Sequence, residues 1–350
     1  MSETITIETC RIGPDSPCFI IAEAGVNHNG SMDIAMRLID EAVLAGADAV
    51  KFQMFKADKL VARSAPKAEY QMQTTDIDES HYDMLCRLEL NAECHQKLIN
   101  YCQQKGILLL STPFDEESAD ELDLLGMPAF KVPSGEVINL PFLQYLAAKG
   151  KPILMSTGMA NLQEVAEAVE VIRNSGNPPL ALLQCLTNYP ADPAEINLCA
   201  MDTMTKAFNI PVGYSDHVQT NEIAFAAVAR GAKILEKHFT LDRGLPGPDH
   251  KASLEPEELK ALIKGVRSVE SALGDGVKRP AASEADIAKV ARKSLVAKKD
   301  LKQGTVLCRE MLIAKRPGTG ISPAMLPWVV GLRLNRDVAK DSLIIKEDLS

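Results

Sequence analysis

Strand-like and helix-like segments alternate along the chain up to about residue 274. Runs rich in apolar and β-branched residues begin near residues 18, 47, 107, 129, 152, 181, 211 and 232. Helical patterns separate most of these runs; segment 31–47, for example, starts with the N-cap candidate Ser31. Such alternation predicts parallel strands covered by helices. Eight repeats indicate an α/β fold that closes into a TIM (β/α)8 barrel of about 275 residues, near the usual size of that fold.

A doubly wound open sheet is the alternative architecture. Against it, no G-x-G-x-x-G turn follows the first run, and polar residues end the runs over nearly the whole series. The run ends supply Glu, Lys, Ser, His and Asp side chains in segments 19–30, 49–53, 129–136, 153–159, 212–217 and 234–242. A closed barrel builds its active site from such strand ends. We therefore expect one site that binds an anion, a metal and a polar substrate.

Composition excludes several classes of function. The 350 residues carry a net charge of −9, which argues against a nucleic-acid-binding surface. No apolar run approaches the ~20 residues of a membrane span, and the N-terminal segment lacks the basic and apolar regions of a signal peptide. The eight cysteines are scattered without a C-x-x-C pair, as is typical of reduced thiols. We expect a cytoplasmic enzyme with no nucleic-acid or membrane partner.

The chain is predicted to have two domains. Residues 1–274 form the barrel, the polar segment 275–293 is a linker, and residues 294–350 form a small β-rich domain. One connection inside the barrel, residues 54–90, is unusually long, and loops of that length are usually functional. It is predicted to be either a lid on the substrate side, carrying the sequence APKAEYQ, or a peripheral helical hairpin.

A series of motifs in a fixed order resembles the sialic acid synthase family, which contains the bacterial N-acetylneuraminate and legionaminate synthases. The motifs are IAEAGVNHNG, DAVKFQ, STPFD, FKVPSGE, MSTGM, VGYSDH, EKHFTLD, GPDHKASL and, near the C-terminus, AKRPGTGISP. The resemblance implies a barrel joined to an antifreeze-like (SAF) domain. It also implies a transferase that condenses phosphoenolpyruvate with an N-acylated hexosamine aldehyde with the help of a divalent metal. The implied assembly is a domain-swapped homodimer in which each small domain caps the barrel of its partner.

Two histidines are the candidate metal ligands. His217 ends the seventh strand and His238 the eighth, so both should lie on one rim of the barrel. Two imidazoles leave open coordination positions, which a catalytic metal needs for water and substrate. The resemblance implies that the metal is manganese, with magnesium and cobalt as alternatives.

Phosphoenolpyruvate carries a phosphate and a carboxylate, and both need cationic or hydroxyl partners. Residues at strand ends offer them, namely Lys51, Lys131, Thr112, Ser134, Ser156 and Ser215. A buried lysine at a strand end could instead form a Schiff base. An aldolase of that kind on the same barrel is therefore the rival mechanism.

Two glutamates are the candidate catalytic carboxylates. Water must add at carbon 2 of the enol phosphate before phosphate leaves, and a carboxylate near that carbon must accept the water's proton. Glu136, in KVPSGE, is the first choice, as the resemblance implies. Glu23, in AEAG, is expected close to the metal or substrate; its alternative role is a structural ion pair with Lys51.

The acceptor sugar is expected to contact Gln53, Tyr189, Asp249 and Arg316, which match acceptor-binding positions of the family. The segment LLQCLTNYPADP departs from the HCTN-type sequence of members that use N-acetylmannosamine. Two acceptors therefore stay open. N-acetylmannosamine would give N-acetylneuraminate, and 2,4-diacetamido-2,4,6-trideoxymannose would give N,N'-diacetyllegionaminate.

Arg316 is predicted to act in the site of the neighbouring subunit, because it precedes a Pro–Gly turn from which a long cation can project. Arg316→Ala and His217→Ala homodimers should then each be poorly active. Subunit exchange between them should restore activity toward half the parent value per heterodimer, since one site carries both defects and the other carries neither. A mixture that stays inactive after verified exchange would contradict the prediction.

Overall fold

Eight parallel strands close into a barrel in which sequence neighbours pair and the last strand pairs with the first. This computed structural model describes residues 3–76 and 78–350. The strands in chain order are β1 (Ile5–Ile7), β2 (Cys10–Ile12), β3 (Phe19–Gly25), β4 (Ala49–Met54), β5 (Leu108–Pro113), β6 (Phe130–Val132), β7 (Ile153–Ser156), β8 (Leu180–Cys185), β9 (Val212–Asp216), β10 (Ile234–His238), β11 (Ser294–Ala297) and β12 (Leu312–Lys315). Strands β3 to β10 form the barrel, so the predicted TIM barrel is confirmed.

Helices follow the barrel strands. They are α1 (Met32–Ala45), α2 (Ala57–Leu60), α3 (Glu69–Thr74), α4 (His81–Leu88), α5 (Ala92–Lys105), α6 (Glu116–Leu124), α7 (Leu140–Ala148), α8 (Leu162–Asn174), α9 (Cys199–Phe208), α10 (Glu222–Ala229), α11 (Pro256–Leu273), α12 (Ala285–Ala291) and α13 (Leu326–Val329). Ser31 caps α1 by accepting a hydrogen bond from the Ile34 amide. None of the helices in the described part of the chain combines the length and apolar composition that crossing a bilayer requires.

Side chains that point into the barrel are apolar near the start of each strand and polar near its end. On β10, Ile234 belongs to the apolar interior, and Glu236 and His238 follow it at two-residue spacing. On β4, Ala49 is likewise followed by Lys51. The alternate residues of these strands pack outward under the helices. The amino ends of the strands therefore enclose an apolar core, and the carboxyl ends enclose polar groups.

A β-hairpin fills the amino end of the barrel. Strands β1 and β2 pair antiparallel, and Ile5, Ile7 and Ile12 are buried. They join one apolar cluster with the interior residues Phe19, Ile21, Ala49, Leu110, Ala129, Leu154, Ala181, Leu183 and Ile234. The hairpin thus covers the amino end of the barrel and shields its apolar interior from solvent.

The long connection after β4 is helical in its described part. It contains α2, α3 and α4, and residue 77 of the predicted segment 54–90 lies outside the described residues. Met84, Leu85 and Leu88 of α4 pack with Val26 and Phe55 in an apolar cluster separate from the barrel core. The segment therefore has its own small core above the carboxyl ends of the strands that carry Val26 and Phe55.

The chain divides into two compact units, Met1–Gly274 and Asp275–Ser350. In the second unit, β11 and β12 pair antiparallel over an apolar cluster that includes Leu295 and Leu312. The predicted linker 275–293 contains the helix α12. The Lys289 carbonyl of this helix accepts a hydrogen bond from the Gly318 amide at 2.7 Å. The end of the predicted linker is therefore tied to the small β-rich unit.

Ile7→Ala should lower the free energy of unfolding of the barrel by about 2–5 kcal/mol, because it opens a cavity in a closely packed apolar cluster. The Ile7 side chain is fully buried, whereas Ile138 is 70% exposed and serves as the matched control as Ile138→Ala. Urea denaturation followed by circular dichroism measures both changes. Equal urea midpoints for the two variants would show that the hairpin adds nothing to the barrel core.

Candidate active site

A cavity of about 360 Å³ lies at the carboxyl ends of the barrel strands. This volume falls in the range of small-molecule sites. Every predicted site residue except Glu136 and Arg316 lines it, and these lining residues are Glu23, Lys51, Gln53, Thr112, Lys131, Ser134, Ser156, Tyr189, Ser215, His217, His238 and Asp249. We refer to it as the barrel-end cavity.

Four buried charged side chains form the floor of the barrel-end cavity. The Lys51 Nζ atom lies 3.1 Å from Glu23 Oε2 and 3.6 Å from Glu236 Oε2. The Lys131 Nζ atom lies 3.4 Å from Glu236 Oε1. All four side chains are at most 4% exposed. Because buried charges are costly unless paired, this alternation of lysine and glutamate is what allows the cluster to exist in the barrel.

The two carboxylates of the floor differ in proton affinity. Burial pushes the pKa of Glu236 upward, but Lys131 and Lys51 outweigh burial and lower that pKa to about 2. Burial raises the pKa of Glu23 to about 7, although Lys51 opposes it. Burial lowers the pKa of Lys51, but Glu23 and Glu236 raise it more, so it ends above its ordinary value. Near neutral pH, Glu23 is therefore the carboxylate of the floor that exchanges a proton most readily.

Hydroxyl groups surround the two lysines. Lys51 donates to Thr112 Oγ1 at 2.9 Å, and Lys131 donates to Ser156 Oγ at 2.8 Å. Ser215 donates to Glu236 Oε1 at 3.0 Å. The fourth predicted hydroxyl, that of Ser134, accepts from the Gly158 amide at 2.9 Å, which leaves its own proton to donate. Ammonium and hydroxyl donors at this spacing suit an anion with several oxygens.

His217 and His238 stand side by side on the rim of the barrel-end cavity, with ring centroids 5.3 Å apart. The Nδ1 atom of His217 faces the Leu186 carbonyl at 2.7 Å, and its Nε2 atom faces the Tyr189 hydroxyl at 3.0 Å. Because a carbonyl can only accept, Nδ1 carries the proton of the neutral ring, and the Nε2 lone pair accepts a hydrogen bond from the Tyr189 hydroxyl on the cavity side. The Nδ1 atom of His238 is buried without a hydrogen-bond partner.

The donor set fits a divalent transition metal held by two imidazoles. Burial, followed by the charge of His217, lowers the pKa of His238 well below its ordinary value, so that ring is neutral and can bind a metal. Burial lowers the pKa of His217, but the Cys185 thiol and the Leu186 carbonyl raise it overall, so metal and proton compete there. Across residues 3–76 and 78–350, no three His, Cys, Asp or Glu side chains are grouped to hold a metal ion. A metal bound here would have His217 and His238 as its protein ligands, with water or substrate at its other positions.

A second buried ion pair holds the strands that carry the histidines. Lys237 points away from the barrel interior and donates to Asp216 Oδ2 at 2.7 Å, and both side chains are fully buried. Asp216 Oδ1 also accepts from the Tyr214 hydroxyl and the Val218 amide. Asp216 directly precedes His217, and Lys237 directly precedes His238. The ion pair therefore fixes the backbone that carries both imidazoles.

The predicted acceptor residues of the barrel lie beside these groups. Gln53 donates to Glu23 Oε1 at 3.2 Å, and the ring centroid of Tyr189 lies 4.1 Å from that of His217. Burial raises the pKa of Asp249 to about 6, although His217 opposes it. Gly25 adopts a φ of +53° next to them, and an added Cβ would lie 3.3 Å from Glu23 Oε1. A side chain at this position would crowd the floor, which explains the glycine.

Glu136 does not line the barrel-end cavity, and Arg316 belongs to the second compact unit of the chain. Glu136 ends the helical turn Ser134–Glu136, and its Oε2 atom accepts from Asn139 Nδ2 at 2.6 Å. The neighbouring residue Gly135 lines the cavity, so Glu136 is close to it in sequence. To reach a substrate there, the Glu136 carboxylate would have to break its hydrogen bond with Asn139. Arg316 is exposed in the second unit, where its Nε atom donates to the Ala291 carbonyl at 3.0 Å. The roles assigned to both residues stay predictions.

Several cavity residues were not predicted from the sequence. Glu236 is the central carboxylate of the floor, and its position two residues before His238 on β10 was a usable signal, because the two share one face of the strand. Cys185 and Thr187 also line the cavity. Another group comes from the helical segment after β4 and comprises Leu60, Val61, Gln71, His81, Met84, Leu85 and Leu88.

Comparison with known proteins agrees with the fold and the cavity. The chain is 48% identical over 93% of its length to an N,N'-diacetyllegionaminic acid synthase of Campylobacter jejuni, covering 98% of that protein. It is 45% identical to the Legionella pneumophila protein of the same name, with 96% of each chain covered. A crystal structure of an N-acetylneuraminic acid (sialic acid) synthetase from Leptospira borgpetersenii superposes with a TM-score of 0.72 at 34% identity, covering 82% of this chain and 95% of that chain.

These relatives are synthases of nonulosonic acids, and the barrel with its polar cavity is that of an enzyme of this class. The NeuB family model matches residues 38–278 and the SAF domain model matches residues 292–350. The chain belongs to the NeuB family, and the resemblance to the sialic acid synthases is confirmed.

His217→Ala should bind manganese far more weakly than the parent, because it removes one of two imidazole ligands. The loss should exceed the about 10–100-fold that removal of an outer-shell partner costs. Manganese titration of metal-free protein, followed by electron paramagnetic resonance, measures it. His95→Gln is the control, because His95 is buried against Ser111 and does not line the cavity. Parent-like affinity in His217→Ala would contradict the ligand assignment.

Proposed function

We propose that this enzyme condenses phosphoenolpyruvate with 2,4-diacetamido-2,4,6-trideoxymannose and water, giving N,N'-diacetyllegionaminic acid and phosphate. The observation that carries the reaction type is the barrel-end cavity, which is lined by two lysines, six hydroxyl groups, three carboxylates and three imidazoles. The acceptor is supported by the two relatives named for this product, at 48% and 45% identity over nearly whole chains.

The anion binds at the floor of the cavity. The phosphate and carboxylate oxygens accept hydrogen bonds from Lys51, Lys131 and the surrounding hydroxyls. When Glu23 and Glu236 are both ionised, their charges cancel those of the two lysines and leave no net attraction for an anion. Burial raises the pKa of Glu23 to about 7, so Glu23 is the carboxylate of the floor whose protonation would leave the floor positively charged.

Carbon 3 of the enol phosphate then bonds to the aldehyde carbon of the acceptor, and the aldehyde oxygen becomes an alcohol. His217 and His238 would hold a divalent cation, which we propose is manganese, and that cation would polarise the aldehyde oxygen as a Lewis acid. Tyr189 lies beside His217, and Asp249 lines the same cavity. Both residues orient the acceptor.

Water adds to carbon 2 as positive charge develops there. A carboxylate accepts a proton from this water, the bond between carbon 2 and the phosphate oxygen breaks, and the ketone and free phosphate form. Glu136 is the proposed base, and it reaches the substrate by exchanging its hydrogen bond with Asn139 for one with the water. Glu23 already lies in the cavity and is the alternative base.

A second acceptor and a second mechanism remain candidates. The sialic acid synthetase of known structure, at 34% identity, favours an N-acetylmannosamine-type acceptor. Burial lowers the pKa of Lys131, against the opposing effect of Glu236, and a lysine of that kind can form a Schiff base. Its ion pair with Glu236 and its hydrogen bond to Ser156 instead hold the amine for anion binding.

Glu136→Gln should lower kcat by at least ~10²-fold, the usual contribution of a general base, with little change in the KM for phosphoenolpyruvate. Glu23→Gln should leave that KM unchanged or lower it, because a neutral side chain beside Lys51 leaves the floor positively charged. Steady-state kinetics with saturating acceptor separates the two effects. A parent-like kcat for Glu136→Gln, together with a large loss of kcat for Glu23→Gln, would move the base to Glu23.

The parent enzyme should release phosphate from phosphoenolpyruvate only when acceptor and manganese are both present, and fastest with 2,4-diacetamido-2,4,6-trideoxymannose. N-acetylmannosamine is the comparison acceptor, and mass spectrometry identifies the nine-carbon product. Borohydride added with pyruvate should leave the protein mass unchanged. If neither acceptor supports phosphate release, the proposed reaction is refuted. A trapped pyruvate adduct would support the Schiff-base mechanism.

A further inference from the structure

One side of the barrel-end cavity is apolar, in contrast to its charged floor. Leu60 and Val61 of the segment after β4 line this side and are partly exposed, and Met84, Leu85 and Leu88, which also line it, are almost fully buried. Phe114, which follows β5, lines the same cavity and is half-buried. We refer to Leu60, Val61, Met84, Leu85, Leu88 and Phe114 as the apolar wall.

The apolar wall is a continuous packed surface, because its side chains contact one another. They belong to one apolar cluster, which is separate from the barrel core and is anchored by Val26, Phe55 and Ala57. Two polar residues of the same segment, Gln71 and His81, also line the cavity. Burial lowers the pKa of His81, which keeps its ring uncharged near neutral pH. The segment therefore adds no formal charge to the cavity lining.

The two surfaces of the cavity call for different ligand groups. Phosphoenolpyruvate consists almost entirely of charged groups and satisfies the floor. Of the two substrates, only the acceptor carries methyl groups. In 2,4-diacetamido-2,4,6-trideoxymannose these are the methyl at carbon 6 and the methyls of the two acetamido groups.

We infer that the apolar wall is the acceptor-specificity surface, where Leu60 and Val61 contact the carbon 6 methyl and the acetamido methyl at carbon 4. This inference rests on the proposed function and identifies what selects its acceptor. N-acetylmannosamine carries hydroxyl groups at both of these positions, and a hydroxyl placed against the wall loses its hydrogen bonds to water without replacement. An apolar pocket typically discriminates between such analogues by about 10–200-fold.

Val61→Thr and Leu60→Asn test the inference with little change in side-chain volume. Both residues are partly exposed, so both variants should fold like the parent. Each should lower kcat/KM for 2,4-diacetamido-2,4,6-trideoxymannose by about tenfold and leave kcat/KM for N-acetylmannosamine unchanged or higher. The preference for the first acceptor should therefore shrink, while the KM for phosphoenolpyruvate stays constant. If N-acetylmannosamine is not turned over, its inhibition constant against the first acceptor serves instead and should fall or stay constant.

Leu124→Asn is the matched control, because Leu124 is 89% exposed on α6 and does not line the cavity. It should leave both acceptors and their ratio unchanged. An equal loss for both acceptors, or an unchanged ratio in Leu60→Asn and Val61→Thr, would overturn the assignment of the wall. A parent enzyme that is inactive with both acceptors would instead refute the proposed reaction. Failure of the wall assignment and failure of the proposed reaction are therefore distinguishable.

Discussion

The parallel pairing of β10 with β3 is the interaction on which the rest of the structure depends. It closes the barrel over a register that runs from Ile234 opposite Phe19 to His238 opposite Glu23. Closure removes both free edges of the sheet and turns the carboxyl ends of eight strands toward one another. Every contact of the cavity floor follows from this ring, since Lys51, Lys131 and Glu236 come from strands that are far apart in sequence.

The cost of the floor is electrostatic, and its arrangement reduces that cost. Two lysines and two glutamates are withdrawn from water, and apolar residues of similar volume would often be at least as stable there. The barrel retains the charges in an order in which each lysine contacts a carboxylate and a hydroxyl. The floor can thus remain folded without a ligand and still rearrange its hydrogen bonds when an anion enters.

The sequence predicted the fold and most of the floor for one physical reason. A buried parallel strand reads as an apolar run, and a lysine, serine or histidine at its end has little reason to be there except chemistry. The same reasoning passed over Glu236, because it lies inside the run ILEKH and only the two-residue alternation shows that it faces inward. Glu136, which the sequence also assigns to the site, does not line the cavity and accepts a hydrogen bond from Asn139, so its role stays a prediction.

The apolar wall was beyond sequence reasoning for a different reason. Leu60 ends a four-residue helix and Val61 follows it, and a helix this short has no periodic pattern to show which way its side chains point. Their neighbours in space, such as Phe114, come from other connections. Only tertiary packing brings these residues to the cavity.

The hairpin at the amino end of the barrel bears on how the chain acquires its structure during synthesis. Ile5, Ile7 and Ile12 leave the ribosome before the barrel strands against which they pack, and these packing partners extend to Ile234 on the strand that closes the ring. Long-range contacts of this kind form late, and apolar segments that wait for them are exposed to aggregation. The earliest-made part of the barrel is therefore among the last to be buried, so a chaperone that shields the nascent N-terminal segment would protect the whole fold.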